Sequence, residues 1–112
     1  MFKDKNSFET RIKESSKIRQ TYPDRIPVIC ERKDINLPEL DKKKYLVPCD
    51  LTMGQFAYII RRRIRLSPEK ALFLHLGNKM VPLSVPMIML YQESCDEDGF
   101  LYVSYSGENV FG

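Results

Sequence analysis

The spacing of apolar residues near the start of the chain predicts a helix over residues 6–22. Apolar residues recur four positions apart in two pairs, Phe8 with Ile12 and Ile18 with Tyr22. Residues at this spacing lie on one face of a helix, and charged residues fill most of the other positions. Asn6 with Glu9 three positions later fits a variant of the capping box, and Pro23 ends the helix. Because the apolar stripe is thin, we expect this helix to dock on another part of the chain.

Four short segments rich in β-branched and aromatic residues predict strands. They are residues 25–31, 44–48, 71–76 and 100–105. Pro27 and Pro48 favour positions at a strand's beginning or at a sheet edge, since proline cannot donate to a ladder. The segment 71–76 is apolar on both faces and is expected in the centre of a sheet. An unblocked edge at residues 44–48 is a place where a further strand could add.

A second helix is predicted from Met53 to the arginines at 61–63, whose cations suit the C-terminal end of a helix dipole. Thr52 and Gln55 form a capping box at its start. Its apolar face consists of Met53, Phe56, Ile60 and Ile64. Residues 67–69 resemble a short helical turn with proline at its first position. Residues 84–93 predict a short helix capped by Ser84.

The order of these elements predicts an α+β fold. Two opening strands, a long crossing helix and a two-sided central strand resemble the β-grasp of ubiquitin. With 112 residues the chain is the size of a single folding unit. We therefore divide it into an N-terminal helical extension, residues 1–22, and a ubiquitin-like domain, residues 23–112, with a C-terminal tail at 106–112.

Charge is unevenly distributed along the chain. The formal net charge is +3, but residues 1–63 carry 15 Lys/Arg against 9 Asp/Glu, whereas residues 64–112 carry 3 against 6. A basic first half favours an anionic partner such as phosphate, an anionic membrane or an acidic peptide. An ordinary solvated basic face is the equally acceptable alternative.

The composition disfavours most catalytic chemistry. Three cysteines without CxxC or CxxH spacing predict reduced thiols rather than a zinc site or a disulfide framework. His75 is the single histidine, and it lies in an apolar strand without an evident orienting partner. The acidic turn 96–99 lacks the glutamate that a calcium loop needs, and is expected to be solvated. Phosphate-cradling loops and nucleic-acid motifs are absent, so we expect no enzyme, no cofactor, no metal and no nucleic acid.

The glycine-bracketed tail is the unusual feature. Gly107 and Gly112 flank an extended polar stretch that ends on a glycine carboxylate. A glycine without a Cβ can enter a narrow active-site tunnel and expose its carboxylate to attack. A frayed terminus is the alternative.

Three long segments resemble the ubiquitin-like modifiers of autophagy, the family of microtubule-associated-protein light chain and GABA-receptor-associated protein. They are IPVICE at 26–31, DKKKYLVPCDLTMGQFAYIIRRRI at 41–64 and DGFLYVSYSGENVFG at 98–112. The resemblance implies a non-enzymatic protein whose Gly112 carboxylate is adenylated, passed on as a thioester and joined to phosphatidylethanolamine. Phe111 and Gly112 would form the protease-recognised tail. Activating and conjugating enzymes, a deconjugating cysteine protease and autophagosome membranes are the implied partners, and the cytoplasm is the location of the unlipidated form.

The resemblance also implies binding of aromatic-x-x-aliphatic motifs in cargo receptors. A peptide strand could add at residues 44–48, and side chains three apart on it point to opposite faces. By resemblance the first pocket comprises Glu14, Ile18, Pro27, Ile29, Lys44, Leu46 and Phe100. The second comprises Tyr45, Val47, Pro48, Leu51, Phe56 and Ile59, of which the last three would serve both core and pocket. Arg25, Lys42 and Lys44 are expected to contact acidic residues flanking the motif.

A different class of function remains open from the residues themselves. An unconjugated interaction domain could bind the cytoskeleton or an anionic surface through the basic N-terminal helix. Loss of membrane association on removal of Gly112 would distinguish the modifier from this alternative.

Overall fold

The computed structural model describes residues 1–107 and contains four helices and five strands within them. The helices are α1 (Phe2–Lys5), α2 (Phe8–Thr21), α3 (Met53–Arg63) and α4 (Met87–Ser94). The strands are β1 (Arg25–Arg32), β2 (Lys44–Pro48), β3 (Phe73–Leu76), β4 (Lys79–Met80) and β5 (Leu101–Ser106). Phe111 and Gly112 lie outside the described residues.

The strands form one mixed sheet in the order β2-β1-β5-β3-β4. β1 pairs antiparallel with β2 and parallel with β5, and β3 pairs antiparallel with β4 and β5. The α+β prediction is thus confirmed, with β2 at one edge. Pro27 pairs with Leu46 of β2 but precedes the pairing with β5, which begins at Val28. The missing N–H of Pro27 therefore removes no hydrogen bond between β1 and β5.

The main core lies between one face of the sheet, here called the inner face, and helices α3 and α4. Inward side chains of β1, β2 and β5 alternate along each strand with outward ones. Those in the core are Ile26, Val28, Cys30, Tyr45, Val47, Leu101, Val103 and Tyr105. Met53, Phe56 and Ile60 of α3 and Met87, Leu90 and Tyr91 of α4 complete it. The opposite face, the outer face, packs against α2 and α1.

Several local predictions are confirmed and others need correction. The capping box of Thr52 and Gln55 is present in full at the start of α3. The helix predicted over residues 6–22 is α2, and it begins at Phe8. Ser7 is its cap, because the Ser7 hydroxyl accepts a hydrogen bond from the Thr10 N–H. The Asn6 side chain donates to the Phe2 carbonyl and closes α1, so the predicted capping box at Asn6 was wrong.

The second half of the chain also departs from prediction in two places, the start of α4 and residues 67–70. Helix α4 begins at Met87 with Pro86 in the cap position and no side-chain cap bond, so Ser84 is not its cap. Residues 67–70 form a hydrogen-bonded turn rather than a helical one. Strand β4 and helix α1 were not predicted, since each is too short to show a hydrophobic period. No helix within residues 1–107 has the length and apolarity needed to cross a bilayer.

Candidate functional site: the free edge of strand β2

Strand β2 has one paired side and one open side. It pairs with β1 in the register Arg25–Pro48, Pro27–Leu46 and Ile29–Lys44, and no described strand lies beyond it. Along β2 the side chains alternate between half-exposed and buried. Lys44 and Leu46 lie on the outer face, while Tyr45 and Val47 point into the core. This alternation is the geometry that the paired-pocket prediction requires.

The outer side of β2 brings together all residues of the predicted first pocket. Pro27 and Ile29 of β1 stand opposite Leu46 and Lys44, and Phe100 precedes β5 on the same face. Ile29 and Phe100 are fully buried, whereas Leu46 and Lys44 remain partly exposed. Ile29 and Phe100 therefore form a floor, and Leu46 and Lys44 form the accessible wall.

Helix α2 closes this side through an ion pair. The Lys44 ammonium of β2 contacts the Glu14 carboxylate of α2, and both side chains are roughly one-third exposed. Ile18, one helical turn further along α2, is half-buried on the same helix face. The ion pair spans the gap between helix and edge strand, so a side chain inserted there would lie beside two opposite charges.

The inner side of β2 is more deeply buried than predicted. Tyr45 and Phe56 pack edge to face with ring centroids 5.6 Å apart, and Phe56 is fully buried. Burial raises the pKa of Tyr45 to about 12. Leu51 is half-buried, while Pro48 and Ile59 are exposed. Of the residues predicted for the second pocket, these three form the accessible surface, and Tyr45, Val47 and Phe56 belong to the core.

The three predicted flanking cations already have intramolecular contacts. The Arg25 Nη1 donates to the Leu46 carbonyl at 3.1 Å. The Lys42 ammonium lies 5.5 Å from the centre of the Tyr45 ring. Lys44 is paired with Glu14. All three lie along the edge of β2 or beside it, which gives the edge a basic border.

A buried ion pair that sequence reasoning missed attaches α2 to the sheet. Arg11 Nη1 lies 2.6 Å from Asp98 Oδ2, and the Asp98 side chain is fully buried. The Tyr102 hydroxyl also donates to Asp98, and the hydrogen bond to Asp98 raises the pKa of Arg11. The prediction of a solvated acidic turn at 96–99 is thus wrong for Asp98, because Arg11 covers it. The two residues stand 87 positions apart, so no local pattern marks them.

The end of the acidic turn, residues 98 and 99, is shaped by its close approach to α2. The Ser15 hydroxyl donates to the Asp98 carbonyl, and Gly99 has a φ of 88°. A Cβ on Gly99 would lie 2.4 Å from Ser15 Oγ. Glycine is therefore needed at position 99, both for its backbone conformation and for the close approach of the helix.

Helix α1 supports the floor of the first pocket from the other side. The Phe2 and Phe100 rings pack edge to face with centroids 5.4 Å apart. The Phe2 N–H donates to a Glu31 carboxylate oxygen at 2.7 Å, and Lys3 pairs with Asp96. These contacts fix α1 on the outer face, so Phe100 is held between two sets of side chains.

The groups that could perform nucleophilic or metal chemistry are arranged unfavourably for it. Burial raises the pKa of the Cys30 thiol well above its usual range, so the thiol stays protonated at neutral pH. His75 is buried with its Nε2 2.9 Å from Ser106 Oγ, and burial lowers its pKa. Within residues 1–107 no three His, Cys, Asp or Glu side chains are grouped to hold a metal ion.

Two cavities lie away from the edge of β2. One of about 550 Å³ lies between the β3–β4 hairpin and α4, with Met80, Val85 and Met89 in its wall. The other, of about 480 Å³, lies beside the N-terminus and β5. Neither cavity includes a residue of the two predicted pockets, so these cavities are separate from the candidate site.

Sequence comparison identifies the family to which this arrangement belongs. A family model described as "Autophagy protein Atg8 ubiquitin like" matches residues 10–112. The chain is 59% identical to Autophagy-related protein 8 of Mycosarcoma maydis, over 99% of this chain and 95% of the relative. It is 58% identical to the Schizosaccharomyces pombe protein of the same name, over 99% and 93% respectively.

Solved structures agree with the sequence match. The crystal structure of Trypanosoma brucei ATG8 has a TM-score of 0.91 and 45% identity, covering 99% of this chain and 97% of that one. Plasmodium falciparum Atg8 in complex with a Plasmodium falciparum Atg3 peptide has a TM-score of 0.89 and 40% identity, covering 96% of each chain. The chain therefore belongs to the Atg8 family of ubiquitin-like autophagy proteins, and it is a non-enzymatic modifier that is conjugated to phosphatidylethanolamine and binds cargo receptors.

Proposed function

We propose that the free edge of β2 is the surface by which this chain captures aromatic-x-x-aliphatic motifs. The observation that carries the proposal is the alternation along β2, with Lys44 and Leu46 on one face and Tyr45 and Val47 on the other. A peptide strand added there would place residues three apart on opposite faces. Its aromatic side chain would lie against Leu46, and its aliphatic side chain against Leu51 and Ile59.

We further infer that the carboxylate of Gly112 is the group joined to phosphatidylethanolamine, with Phe111 before it in the segment read by a cysteine protease. The match of the family model through residue 112 supports this assignment. Activating and conjugating enzymes would be the partners in that reaction. The solved structure of the Plasmodium falciparum relative is a complex with an Atg3 peptide, which favours a corresponding contact here. Conjugation would move the protein from the cytoplasm to autophagosome membranes.

Motif capture is tested by replacing Leu46 with alanine. We expect Leu46→Ala to weaken binding of an aromatic-x-x-leucine peptide by about 1–3 kcal/mol, the loss typical of a central interface residue. Isothermal titration calorimetry measures the affinity. Met89→Ala is the matched control, because Met89 is an exposed apolar residue on α4 beside the separate 550 Å³ cavity. Equal affinities for wild type and Leu46→Ala would reject the pocket assignment.

Conjugation is tested by reconstitution with activating and conjugating enzymes, ATP and phosphatidylethanolamine vesicles. Mass spectrometry should find the lipid on Gly112, and Gly112→Ala should abolish the adduct. Gly107→Ala is the control, since a Cβ there meets its neighbours no closer than 3.4 Å. An equal yield of adduct from Gly112→Ala would overturn the assignment of Gly112, whereas no adduct from the wild-type protein would return weight to an unconjugated interaction domain.

A further inference from the structure

The open edge of β2 offers particular backbone groups to an incoming strand. The Cys30 N–H donates to the Lys43 carbonyl at 2.8 Å, which makes residues 30 and 43 a hydrogen-bonded pair. Such pairs alternate along an antiparallel ladder. In the observed register Pro27 and Leu46 are then a non-hydrogen-bonded pair, and Pro27 has no N–H to donate. The Leu46 carbonyl therefore points away from β1, toward the open side.

That carbonyl is already occupied by the protein's own side chain. Arg25 stands opposite Pro48 at the start of β1, and its Nη1 reaches around the edge to donate to the Leu46 oxygen at 3.1 Å. Arg25 is exposed, so little besides this hydrogen bond fixes its guanidinium. An added strand needs the Leu46 carbonyl as an acceptor, and so it competes with Arg25 for the same atom.

We propose that Arg25 is a specificity-determining residue of the β2 edge. Its hydrogen bond to the Leu46 carbonyl, here called the latch, must break before a peptide strand can use that carbonyl. The inference rests on the proposed capture of peptide motifs at this edge. A peptide can add fully only when the guanidinium leaves the Leu46 carbonyl. A peptide carboxylate close to the Leu46 carbonyl then binds the released guanidinium through a charge-assisted, bidentate hydrogen bond. Neutral peptides have no such group, so they bear the whole cost of opening the latch.

The neighbouring cations are less suited to this role. Lys44 is held by Glu14, and the Lys42 ammonium lies over the Tyr45 ring. Neither donates a described hydrogen bond to a carbonyl of the open edge. A peptide carboxylate near Leu46 would consequently be selected by Arg25. This role differs from a general basic border, because the latch should oppose neutral peptides as well as favour acidic ones.

The test is a two-by-two measurement by isothermal titration calorimetry. Two aromatic-x-x-leucine peptides differ only in a glutamate or a glutamine beside the residue that pairs with Leu46, and each is titrated into wild type and Arg25→Ala. Wild type should prefer the acidic peptide. Arg25→Ala should bind the neutral peptide about threefold tighter, as expected for removal of one competing hydrogen bond, and should lose the preference for glutamate.

Two controls separate the latch from a simple charge effect. Arg62→Ala removes an exposed cation that contacts the Tyr58 ring on α3, and it should leave both affinities unchanged. The gain for the neutral peptide should persist in 0.5 M NaCl. The Debye length is then about 4 Å, and screening over that length does not remove a hydrogen bond between groups in direct contact. Thermal unfolding should be the same for Arg25→Ala and wild type.

The outcomes distinguish the latch from the proposed function beneath it. An Arg25→Ala protein that binds the neutral peptide no better than wild type does overturns the latch, even if its affinity for the acidic peptide falls. A wild-type protein that binds neither peptide overturns both the latch and motif capture.

Discussion

The two faces of the sheet are covered by different kinds of contact. On the inner face α3 and α4 pack through apolar side chains such as Met53, Phe56 and Met87, all fully buried. On the outer face α2 is attached through the buried pair Arg11–Asp98 and the partly exposed pair Glu14–Lys44. The sheet thus has one face fixed by packing and one fixed largely by charges and hydrogen bonds.

The difference matters because the candidate site uses both faces. Apolar burial is non-directional, and the packing of the inner face mainly provides the stability of the fold. This packing buries most of the second pocket and leaves only Pro48, Leu51 and Ile59 accessible. Polar attachment is directional, so the outer face fixes the position of α2 relative to β2. A peptide at the edge would therefore meet a closely packed apolar surface on the inner side and the Lys44–Glu14 ion pair on the outer side.

The largest expected effect is on the inner face. Phe56→Ala should lower the free energy of unfolding by about 3–5 kcal/mol, the cost of deleting a buried aromatic ring and leaving a cavity. Urea unfolding followed by circular dichroism measures it. Tyr58→Ala is the control on the same helix, because Tyr58 is 60% exposed. Similar losses for the two variants would contradict the division between a packed inner face and a solvent-facing side of α3.

On the outer face the corresponding change is Asp98→Asn. The asparagine amide would present N–H groups to Arg11 and Tyr102, which are themselves donors, so buried donors would lose their acceptor. We expect a loss of about 1–3 kcal/mol in the free energy of unfolding. Asp96→Asn, two residues away, should cost less than about 1 kcal/mol, because its partner Lys3 is about half exposed to solvent.

The pair of variants tests whether the outer face depends on a buried charge. If Asp98→Asn were as mild as Asp96→Asn, attachment of α2 would have to rest on its apolar contacts with β1 instead. Burial opposes ionisation of the Asp96 carboxyl, but the hydrogen bonds from Lys3 and from the Asp98 N–H together outweigh it and lower the Asp96 pKa.

The same division explains which features were predictable from sequence. Strand β2 and helix α3 carry their signals locally, in the alternation of Lys44–Pro48 and in the capping box of Thr52 and Gln55. The polar attachment of α2 carries none. Arg11 and Asp98 are 87 residues apart, and an acidic run ordinarily predicts a solvated turn.

The candidate site divides in the same way. The face to which each side chain of β2 points could be predicted, because successive side chains of a strand point to opposite faces of the sheet. The contacts of Arg25 with the Leu46 carbonyl and of Phe2 with Phe100 could not, since they depend on how the chain termini and edges come together. The burial of Tyr45 in the core was also not predicted, because periodicity alone does not separate a pocket wall from a core.

The smallest expected effect concerns pH and the single histidine. His75 lies on β3 with its ring against Ser106 of β5, and burial, with a smaller contribution from Lys33, lowers its pKa. A depressed pKa in the folded state means that the unfolded chain takes up the proton first. The stabilisation that neutral His75 provides is therefore complete above about pH 6.5, its unfolded value, and is lost as the pH falls through the folded pKa.

His75→Gln isolates this contribution, because the amide keeps a hydrogen-bonding group beside Ser106 but does not titrate. Urea unfolding of wild type at pH 7.5 and 5.5 should show a modest loss of stability at the lower pH, and His75→Gln should lose less. Carboxylates contribute equally to both proteins, so the difference between them reports His75 alone. Identical pH dependence in the two proteins would mean that the outer face accommodates a charged imidazole there, and that its polar contacts are more adjustable than the buried pair Arg11–Asp98 suggests.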